Sequence, residues 1–301
     1  MSDNKLLGGL GILFGIVGVI MHSSKAVIVK LVYEYDVDTL ELLLFRMLFS
    51  APFYLLILVF SKGEKRKDAI SGIDYVWVFL FGLLGYYLAS YFDFLGLNYL
   101  KAGLERIILF IYPTIVVFLG WLVFRTKITK VQAIAIAITY LGVLVTFWSE
   151  VEISGDKTLL GAFWILLCAI TYAAYLVGSG WLIPKFGTLR FTCIAMLSST
   201  VCVLAHYVIA GDWDLFHFPL AVYGYILLMA VVATIVPSFL VSESIKRLGA
   251  SNFSILGSIG PVTTILLAYI FIDERLSAIQ LFGMAIVIFG VTYLSIKGKK
   301  K

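Results

Sequence analysis

Hydrophobic residues along the chain occur in long, nearly unbroken segments that short polar connections separate. Each segment holds about 20 residues or more, the length that an α-helix needs to cross the ~30 Å hydrocarbon layer of a membrane. No Pro/Ser-rich linker or low-complexity tract interrupts the series, which leaves no room for a soluble domain. The pattern predicts ten transmembrane helices, over residues 6–32, 39–60, 74–98, 102–124, 129–147, 159–183, 188–210, 218–245, 250–272 and 276–296.

Composition indicates that lipid is the solvent of this chain. Of the 301 residues, 61% are hydrophobic and 14% are charged, whereas about a quarter of the residues in a soluble domain are usually charged. So few polar side chains cannot cover a surface that faces water. The first apolar segment follows Lys5 as a signal peptide would, but no small-x-small cleavage site follows it and Lys25 interrupts it late. We interpret it as the first retained helix of a multi-pass protein in the lipid bilayer.

The distribution of basic residues predicts the orientation, because Lys and Arg concentrate in cytoplasmic loops. A cytoplasmic N-terminus leaves only Lys30, Lys101, Lys157 and Arg275 on the other side, where the loops are otherwise acidic. With ten crossings both termini are then cytoplasmic, and a bacterial or archaeal plasma membrane is expected. The basic residues that this arrangement places inside are Lys5, Lys62, Lys65, Arg66, Lys67, Arg125, Lys127, Lys130, Lys185, Arg190, Lys246, Arg247, Lys297, Lys299, Lys300 and Lys301.

The chain contains an internal repeat with an offset of 148 residues. The stretch 103–129 returns in altered form as 251–277, and each copy has one proline inside its apolar segment, Pro113 or Pro261. Gly142 likewise falls on Gly290. Self-similarity at a fixed spacing indicates duplication, and we expect one copy in residues 1–150 and the other in 151–301. Five crossings per copy force the second copy to enter from the opposite side, which produces inverted repeats typical of transporters.

Several of these features resemble the drug/metabolite transporter superfamily, specifically its EamA-type branch. The resemblance is carried by Tyr112-Pro113 and Gly260-Pro261, by the charged turns 125–129 and 273–277, and by the glycine-containing helices that follow. The first turn lacks the Glu of the family pattern, and the second has Asp at its Gly position. The resemblance covers nearly the whole chain. It implies an all-α membrane fold of ten helices in two inverted five-helix repeats, a central cavity and alternating access, but it does not identify a substrate.

Charged residues inside the apolar segments are the strongest candidates for chemistry, because a charge in hydrocarbon is expensive and usually faces a cavity or a partner. Residues with a structural role should recur in both copies, whereas residues that bind or react with a substrate need not. Arg46, Asp93 and Glu105 align with Ala195, Val241 and Phe253, so these charges occur in the first copy alone. We hypothesise that they bind a small solute bearing a carboxylate or phosphate together with Lys25 and Arg106.

Each of these charges also has a structural interpretation. Lys25 could extend toward the membrane surface, and Arg46 could pair with Asp93 or Glu41. Asp93 could carry a proton, or could act as the counter-ion of Lys25 or Arg46. Glu105 and Arg106 lie near the outer boundary, where they could simply begin a helix, and their adjacent side chains point about 100° apart and should pair poorly.

Uncharged and peripheral positions complete the candidate set. His22 lies on the face of the first helix that also holds Lys25, Tyr86 and Ser90 share a face with Asp93, and Tyr112 follows Glu105 along the fourth helix. Packing is the alternative for each of them. The hydroxyl groups of Ser254 and Ser258, near Pro261, could donate hydrogen bonds to carbonyl groups freed by the proline or could bind substrate. Glu243, near the inner end of the eighth helix, suggests an inner gate or a solvated helix end.

The predicted function is secondary transport of a small polar metabolite, amino-acid-like or an organic anion, by alternating access. An integral-membrane enzyme acting on a lipid or headgroup and a channel are the alternatives, and the inverted repeat favours a transporter over both. No nucleotide-binding motif is visible, so a solute gradient, exchange, or protons through Asp93, Glu105 or His22 would supply the energy. Outside the apolar segments no basic stripe with interleaved aromatics indicates nucleic-acid binding. The sequence leaves a homodimer open.

Neither a metal nor a cofactor is expected, because the histidines lack ligand spacing. The cysteines lack CxxC spacing and lie in apolar stretches, so packing as small apolar residues is the preferred interpretation. These residues are His22, His206 and His217, and Cys168, Cys193 and Cys202.

Overall fold

A computed structural model describes residues 2–60, 70–125, 130–154, 156–211, 216–257 and 259–298. All regular secondary structure within these ranges is helical, and it forms ten successive elements. They are α1 (Ser2–Tyr33), α2 (Thr39–Phe60), α3 (Gly72–Leu97), α4 (Ala102–Leu109 and Tyr112–Phe124), α5 (Lys130–Ser154), α6 (Asp156–Phe186), α7 (Thr188–Ala210), α8 (Leu220–Leu248), α9 (Ala250–Leu256 and Ile259–Ile272) and α10 (Ala278–Gly298).

Hydropathy predicts these elements well where their ends carry strong signals. Eight of them, α1 to α4 and α6 to α9, are long and apolar enough to cross a membrane, while α5 and α10 contain shorter apolar stretches at Ala137–Thr146 and Ala278–Gly290. The connection expected at 148–158 is mostly helical instead, since α5 continues to Ser154 and α6 begins at Asp156. The sequence from Val143 to Ser154 contains no Gly or Pro that would end the helix.

Helix packing follows the duplication. Element α1 packs against α8 and α9, and its counterpart α6 packs against α3 and α4. The pairs α2–α7 and α5–α10 bring equivalent helices of the two copies together. Exchanging the copies therefore maps each contact onto another contact of the same kind. The predicted all-α fold with two inverted five-helix repeats is confirmed, while the division at residues 150 and 151 stays a prediction.

The surface is apolar and the interior is partly charged, which is the reverse of a soluble protein. The side chain of Ile209 is 85% exposed and that of Leu220 is 86% exposed, while Arg46 is 1% exposed and Asp93 is fully buried. Large exposed apolar residues of this kind need a lipid environment. The fold thus isolates a polar centre inside a shell that faces hydrocarbon.

Two features interrupt helices at equivalent places in the copies. A π-helical turn occupies Leu83–Leu88 in α3, and a second occupies Val231–Ile235 in α8, 148 residues later. The helices α4 and α9 are each broken just before their proline, Pro113 or Pro261, and restart with that proline near the new N-terminus. Proline is tolerated there because the first helical N–H groups have no intrahelical acceptor. These interruptions surround the polar centre.

Candidate functional site

A cavity of about 50 Å³, lined by both polar and apolar residues, lies between α1, α2, α3, α4, α6, α8 and α9. Each ordered water needs roughly 10–15 Å³ of such space, so the cavity has room for about four. A second cavity of about 20 Å³ adjoins it and shares His22, Arg46 and Tyr86 among its lining residues. Seven residues that sequence analysis selected line the larger cavity: His22, Lys25, Arg46, Tyr86, Ser90, Arg106 and Tyr112.

Arg46 extends from α2 into the junction of the two cavities. Its Nε donates a hydrogen bond to Thr234 Oγ1 at 2.9 Å, and its Nη1 donates to Ser90 Oγ at 3.0 Å. Both acceptors are neutral hydroxyl groups, and within the described ranges no carboxylate forms an ion pair with this guanidinium. The alternative pairing with Asp93 or Glu41 is therefore wrong. Neutral hydroxyl groups therefore orient the guanidinium group of Arg46.

Lys25 and Asp93 form a close ion pair at the site. Lys25 Nζ lies 2.7 Å from Asp93 Oδ2, and both side chains are buried. The ammonium group also lies 5.9 Å from the centre of the Phe94 ring, and the Arg46 guanidinium lies 5.5 Å from the same ring. Asp93 is thus the counter-ion of Lys25 rather than of Arg46. Lys25 lines the cavity, whereas Asp93 lies behind it.

Glu105 and Arg106 are both buried, so they do not lie at a solvated helix start. Arg106 Nε donates to Thr264 Oγ1 at 3.1 Å and lies 3.7 Å from Glu105 Oε2. This ion pair between adjacent residues is long, in agreement with the poor geometry expected from their positions on the helix. The carboxyl groups of Glu105 and Asp93 are both fully buried, and among the described residues neither accepts a hydrogen bond from a backbone amide or a hydroxyl group.

Three uncharged candidates that line the cavity also form hydrogen bonds. His22 Nδ1 lies 3.3 Å from the carbonyl oxygen of Ala233, so this nitrogen is the donor. The hydroxyl groups of Tyr86 and Tyr175 are 2.7 Å apart. Tyr112 donates its hydroxyl to the carbonyl of Ser254 at 3.3 Å. The aromatic positions therefore combine packing with a polar edge toward the cavity.

The remaining candidates lie elsewhere. Ser254 does not line the cavity, because its hydroxyl donates to the carbonyl of Ser251 within α9. Ser258 lies outside the described residues. Glu243 lies near the C-terminal end of α8, where it pairs with Arg247 at 2.7 Å and accepts a hydrogen bond from Thr188. An inner-gate role for Glu243 stays a prediction. The described residues contain no cluster of metal-ligating side chains.

Sequence reasoning missed the partners that the second copy supplies. Thr234 and Thr264 hold the two cavity arginines, and Cys168 and Tyr172 of α6 complete the wall. The repeat does contain one signal for Thr234: it is the repeat equivalent of Tyr86, so a polar residue occupies this position in both copies. A threonine in an apolar segment is a weaker signal than a charge, because its burial costs far less.

Comparison with known proteins places this arrangement in a family. The model of the EamA-like transporter family matches residues 9–148 and, a second time, residues 159–296. The chain belongs to the EamA-like transporter family. This membership makes it an integral, multi-pass membrane transporter, and it points away from an enzyme.

Individual relatives match this EamA-like transporter over most of its length. The uncharacterized transporter YcbK of Bacillus subtilis is 30% identical over 305 residues, covering 97% of this chain and 95% of the relative. The uncharacterized transporter YyaM of the same organism is 27% identical over 80% of this chain and 79% of its own length. A solved crystal structure superimposes with a TM-score of 0.71 at 13% identity, covering 96% of this chain and 97% of that one. At this identity the structure supports the fold alone.

Proposed function

We propose that this EamA-like transporter is a secondary transporter that carries a small solute bearing a carboxylate or phosphate across the plasma membrane by alternating access. The observation that carries the proposal is Arg46, a buried guanidinium whose partners Thr234 and Ser90 are both neutral. Guanidinium is always charged and binds carboxylate and phosphate oxygens in a bidentate manner. A negatively charged group in the cavity would supply the missing counter-charge.

The charge balance around the cavity supports an anionic or zwitterionic solute. Three buried cations, Lys25, Arg46 and Arg106, are accompanied by two buried carboxylates, Asp93 and Glu105. An uncompensated charge inside a membrane protein is strongly unfavourable. The excess positive charge therefore favours occupation by an anion and opposes occupation by a cationic drug.

The dimensions of the cavity support a mechanism that requires a conformational change. About 50 Å³ holds a few waters but not a metabolite together with an entry path. The helices α4 and α9 are broken beside the cavity, and discontinuous helices are the elements that transporters use to form and release a central site. We infer that movement around these two breaks enlarges the site and exposes it to alternate sides.

The basic loops support the direction of insertion in this proposal. The connections expected on the cytoplasmic side contain most of the Lys and Arg residues, and both termini would then be cytoplasmic. A fusion of a cytoplasm-dependent fluorescent protein to the C-terminus should fluoresce, and an alkaline phosphatase fusion at the same place should be inactive. The reverse result would overturn the orientation without affecting the anion site.

A stabilisation screen tests the function. Purified protein in detergent would be heated with single members of a panel that contains L-glutamate and other amino acids, inorganic phosphate, phosphorylated metabolites, nucleotide sugars, neutral sugars and cationic drugs. The proposal predicts stabilisation by carboxylates or phosphates, followed by saturable counterflow of the same compound in liposomes. Stabilisation by cationic drugs alone would contradict it. Non-saturating flux would indicate a channel, and a chemically altered compound would indicate an enzyme.

A further inference from the structure

A charged and aromatic cluster lies where α3 begins, beside the turn between α6 and α7. Lys185 Nζ lies 2.8 Å from Asp74 Oδ1, and Arg190 Nη2 donates a hydrogen bond to the hydroxyl oxygen of Tyr75 at 2.8 Å. Asp74 and Tyr75 are consecutive residues in the first turn of α3, so both cations lie at the same helix end. Each contact joins the first copy to the second. These four residues form the end cluster.

Arg190 is the cation of the end cluster that has no carboxylate partner. Its guanidinium carbon lies 5.8 Å from the centre of the Tyr75 ring, and its Nε is buried without a hydrogen-bond acceptor. In the parts of the chain that the structure describes, no carboxylate forms an ion pair with Arg190. Lys185, by contrast, is paired with Asp74. The charges of the end cluster therefore sum to one positive charge.

Exposed apolar side chains continue from the end cluster along α3 and α6. Lys185 Nζ lies 4.7 Å from the centre of the Trp181 ring, and Trp181 packs edge-on against Trp77 with ring centroids 5.9 Å apart. The exposed fractions are 38% for Trp181, 39% for Trp77 and 60% for Ile73. Tryptophan is enriched where a membrane protein passes from hydrocarbon to headgroups. A positive charge and an apolar surface thus adjoin one another at a boundary of the membrane.

This combination selects among the molecules that could bind there. A soluble anion could neutralise the charge, but it would leave the tryptophans uncovered. A lipid without net charge could cover the tryptophans, but it would leave the positive charge unpaired. An anionic phospholipid satisfies both surfaces, because its phosphodiester accepts charge-assisted hydrogen bonds from guanidinium and ammonium groups. Basic pockets between transmembrane helices are known to bind anionic headgroups in this way.

The first copy does not repeat this positive charge. Between α2 and α7 the repeat offset is 149 residues, since Thr39 falls on Thr188. At this offset Arg190 corresponds to Glu41, which carries the opposite charge. A carboxylate at the equivalent position would repel an anionic headgroup. We therefore expect the lipid at one end of the molecule, the end predicted to face the cytoplasm.

We propose that the end cluster binds one anionic phospholipid, with the phosphodiester on Arg190 and Lys185 and the acyl chains along Trp77 and Trp181. The bound lipid fastens α3 of the first copy to α6 and α7 of the second, because the residues that hold it belong to both copies. It stabilises the folded protein and needs no solute in the central cavity. The site is therefore independent of the proposed transport function.

Thermal unfolding of the purified full-length protein in a neutral detergent tests the site. Phosphatidylglycerol should raise the melting temperature in a saturable manner, because a ligand of the folded state stabilises that state. Phosphatidylcholine with the same acyl chains should raise it far less, and inorganic phosphate should leave it unchanged. Native mass spectrometry should show one phosphatidylglycerol molecule retained in preference to phosphatidylcholine. Equal effects of the two lipids would overturn the proposal, and stabilisation by inorganic phosphate would indicate a site for a soluble anion instead.

Variants of Arg190 assign the effect to the end cluster. Arg190→Gln should weaken the affinity for phosphatidylglycerol by about fivefold, the contribution of one basic residue near an anionic lipid, and Arg190→Lys should keep most of the affinity. Arg275→Gln is the matched control. Arg275 also lies over a tyrosine ring, 5.7 Å from the centre of Tyr269, but it pairs with Asp273 at the predicted extracellular end. This variant should bind phosphatidylglycerol as the wild type does.

Tyr75→Phe separates lipid binding from the packing of α7 against α3. Arg190→Gln also removes the hydrogen bond to Tyr75 and could lower the melting temperature for that reason alone. Tyr75→Phe removes the same bond but keeps the charge, so it should retain most of the affinity for phosphatidylglycerol in native mass spectra. Wild-type affinity in folded Arg190→Gln protein would overturn the lipid site. Losses of equal size in Tyr75→Phe and Arg190→Gln would overturn it as well.

Discussion

At the scale of single residues, Arg46 separates function from stability. Replacing it with Gln removes a buried charge with which no carboxylate of the described residues forms an ion pair, so the unliganded protein should melt at the same temperature or higher. Anion binding should weaken by roughly 10- to 100-fold, the loss expected when a charge-assisted hydrogen bond of about 1.5–3 kcal/mol disappears. Ligand-dependent melting and counterflow measure the two effects.

Matched variants show whether the fork of Arg46 or only its charge matters. Arg46→Lys keeps the charge but cannot donate to Thr234 and Ser90 in the same geometry while also receiving an anion. It should therefore lose part of the affinity. Arg275→Gln changes an exposed arginine and should bind as the wild type does. Wild-type affinity in Arg46→Gln would contradict the assignment.

Gly257 gives a second residue-scale prediction, because it packs directly against the Tyr112 hydroxyl and a Cβ there would overlap it. Gly257→Ala should destabilise the protein by about 1–3 kcal/mol, the usual range for overpacking. Tyr112→Phe removes the obstructing oxygen, so the double variant should recover part of the loss. Thermal unfolding of the four proteins gives the coupling energy. Strictly additive effects would show that the two residues do not constrain one another.

The sequence predicted the charged members of the site, with Asp93 as a counter-ion of Lys25 among the alternatives, but it did not predict the hydroxyl partners Thr234 and Thr264. Burial cost alone selects Lys25 and Arg46, because a charge in an apolar segment must face something polar. The contact between Arg46 and Thr234 joins positions 188 residues apart and depends on how the two copies dock. A single sequence predicts which face of a helix a residue lies on, but it does not predict the rotation and depth of the helix that packs against that face.

At the scale of elements, the α5–α10 pair depends on a close approach of backbones. A Cβ at Gly142 would lie 2.6 Å from the carbonyl oxygen of Gly283 and 2.7 Å from the backbone nitrogen of Val287. Backbone atoms cannot move aside as flexible side chains do, and small residues are what permit such helix contacts in membranes. Gly142→Ala should separate these helices and lower the melting temperature.

Gly224 in α8 is the matched control, since a Cβ there meets no atom within 4 Å. Gly224→Ala should be neutral or stabilising by up to about 1 kcal/mol, because alanine has the better helix propensity. Equal melting temperatures for Gly142→Ala and the wild type would show that α5 and α10 can shift without loss.

Helix ends could be predicted where polar turns bound an apolar segment, but π-helical turns inside the helices could not. Helices α2 and α7 begin and end where hydropathy places them, because polar turns bound their apolar runs. The π-helical turns at Leu83–Leu88 and Val231–Ile235 left no comparable mark, since one extra residue in a helical turn changes no residue type. These turns nonetheless place Tyr86 and Thr234 in the wall of the smaller cavity.

At the scale of the whole molecule, the two copies pack symmetrically, but a carboxylate that caps a helix of the other copy is present in the second copy alone. The carboxylate of Glu274, in the connection between α9 and α10, accepts hydrogen bonds from the backbone N–H groups of Ala102 and Gly103 at 2.9 and 2.8 Å. A carboxylate at a helix N-terminus is stabilised by the unpaired amides and by the helix dipole. The repeat-equivalent position is Thr126, which cannot supply such a carboxylate. The second copy thus fastens α4 of the first at the predicted extracellular end.

Removal of this fastening should shift the conformational equilibrium toward an opening at that end. Cys168 is a native reporter, because it is buried in the cavity wall. In a Cys202→Ser background, Glu274→Ala should increase labelling of Cys168 by a membrane-impermeant maleimide added from the predicted extracellular side. Cys193, which is buried away from the cavity, should stay unlabelled.

Unchanged labelling of Cys168 would mean that Glu274 only caps a helix. An increase confined to Glu274→Ala and absent in Asp273→Asn would show that one carboxylate, present in one copy alone, biases a duplicated fold toward one of its two mirror-related states.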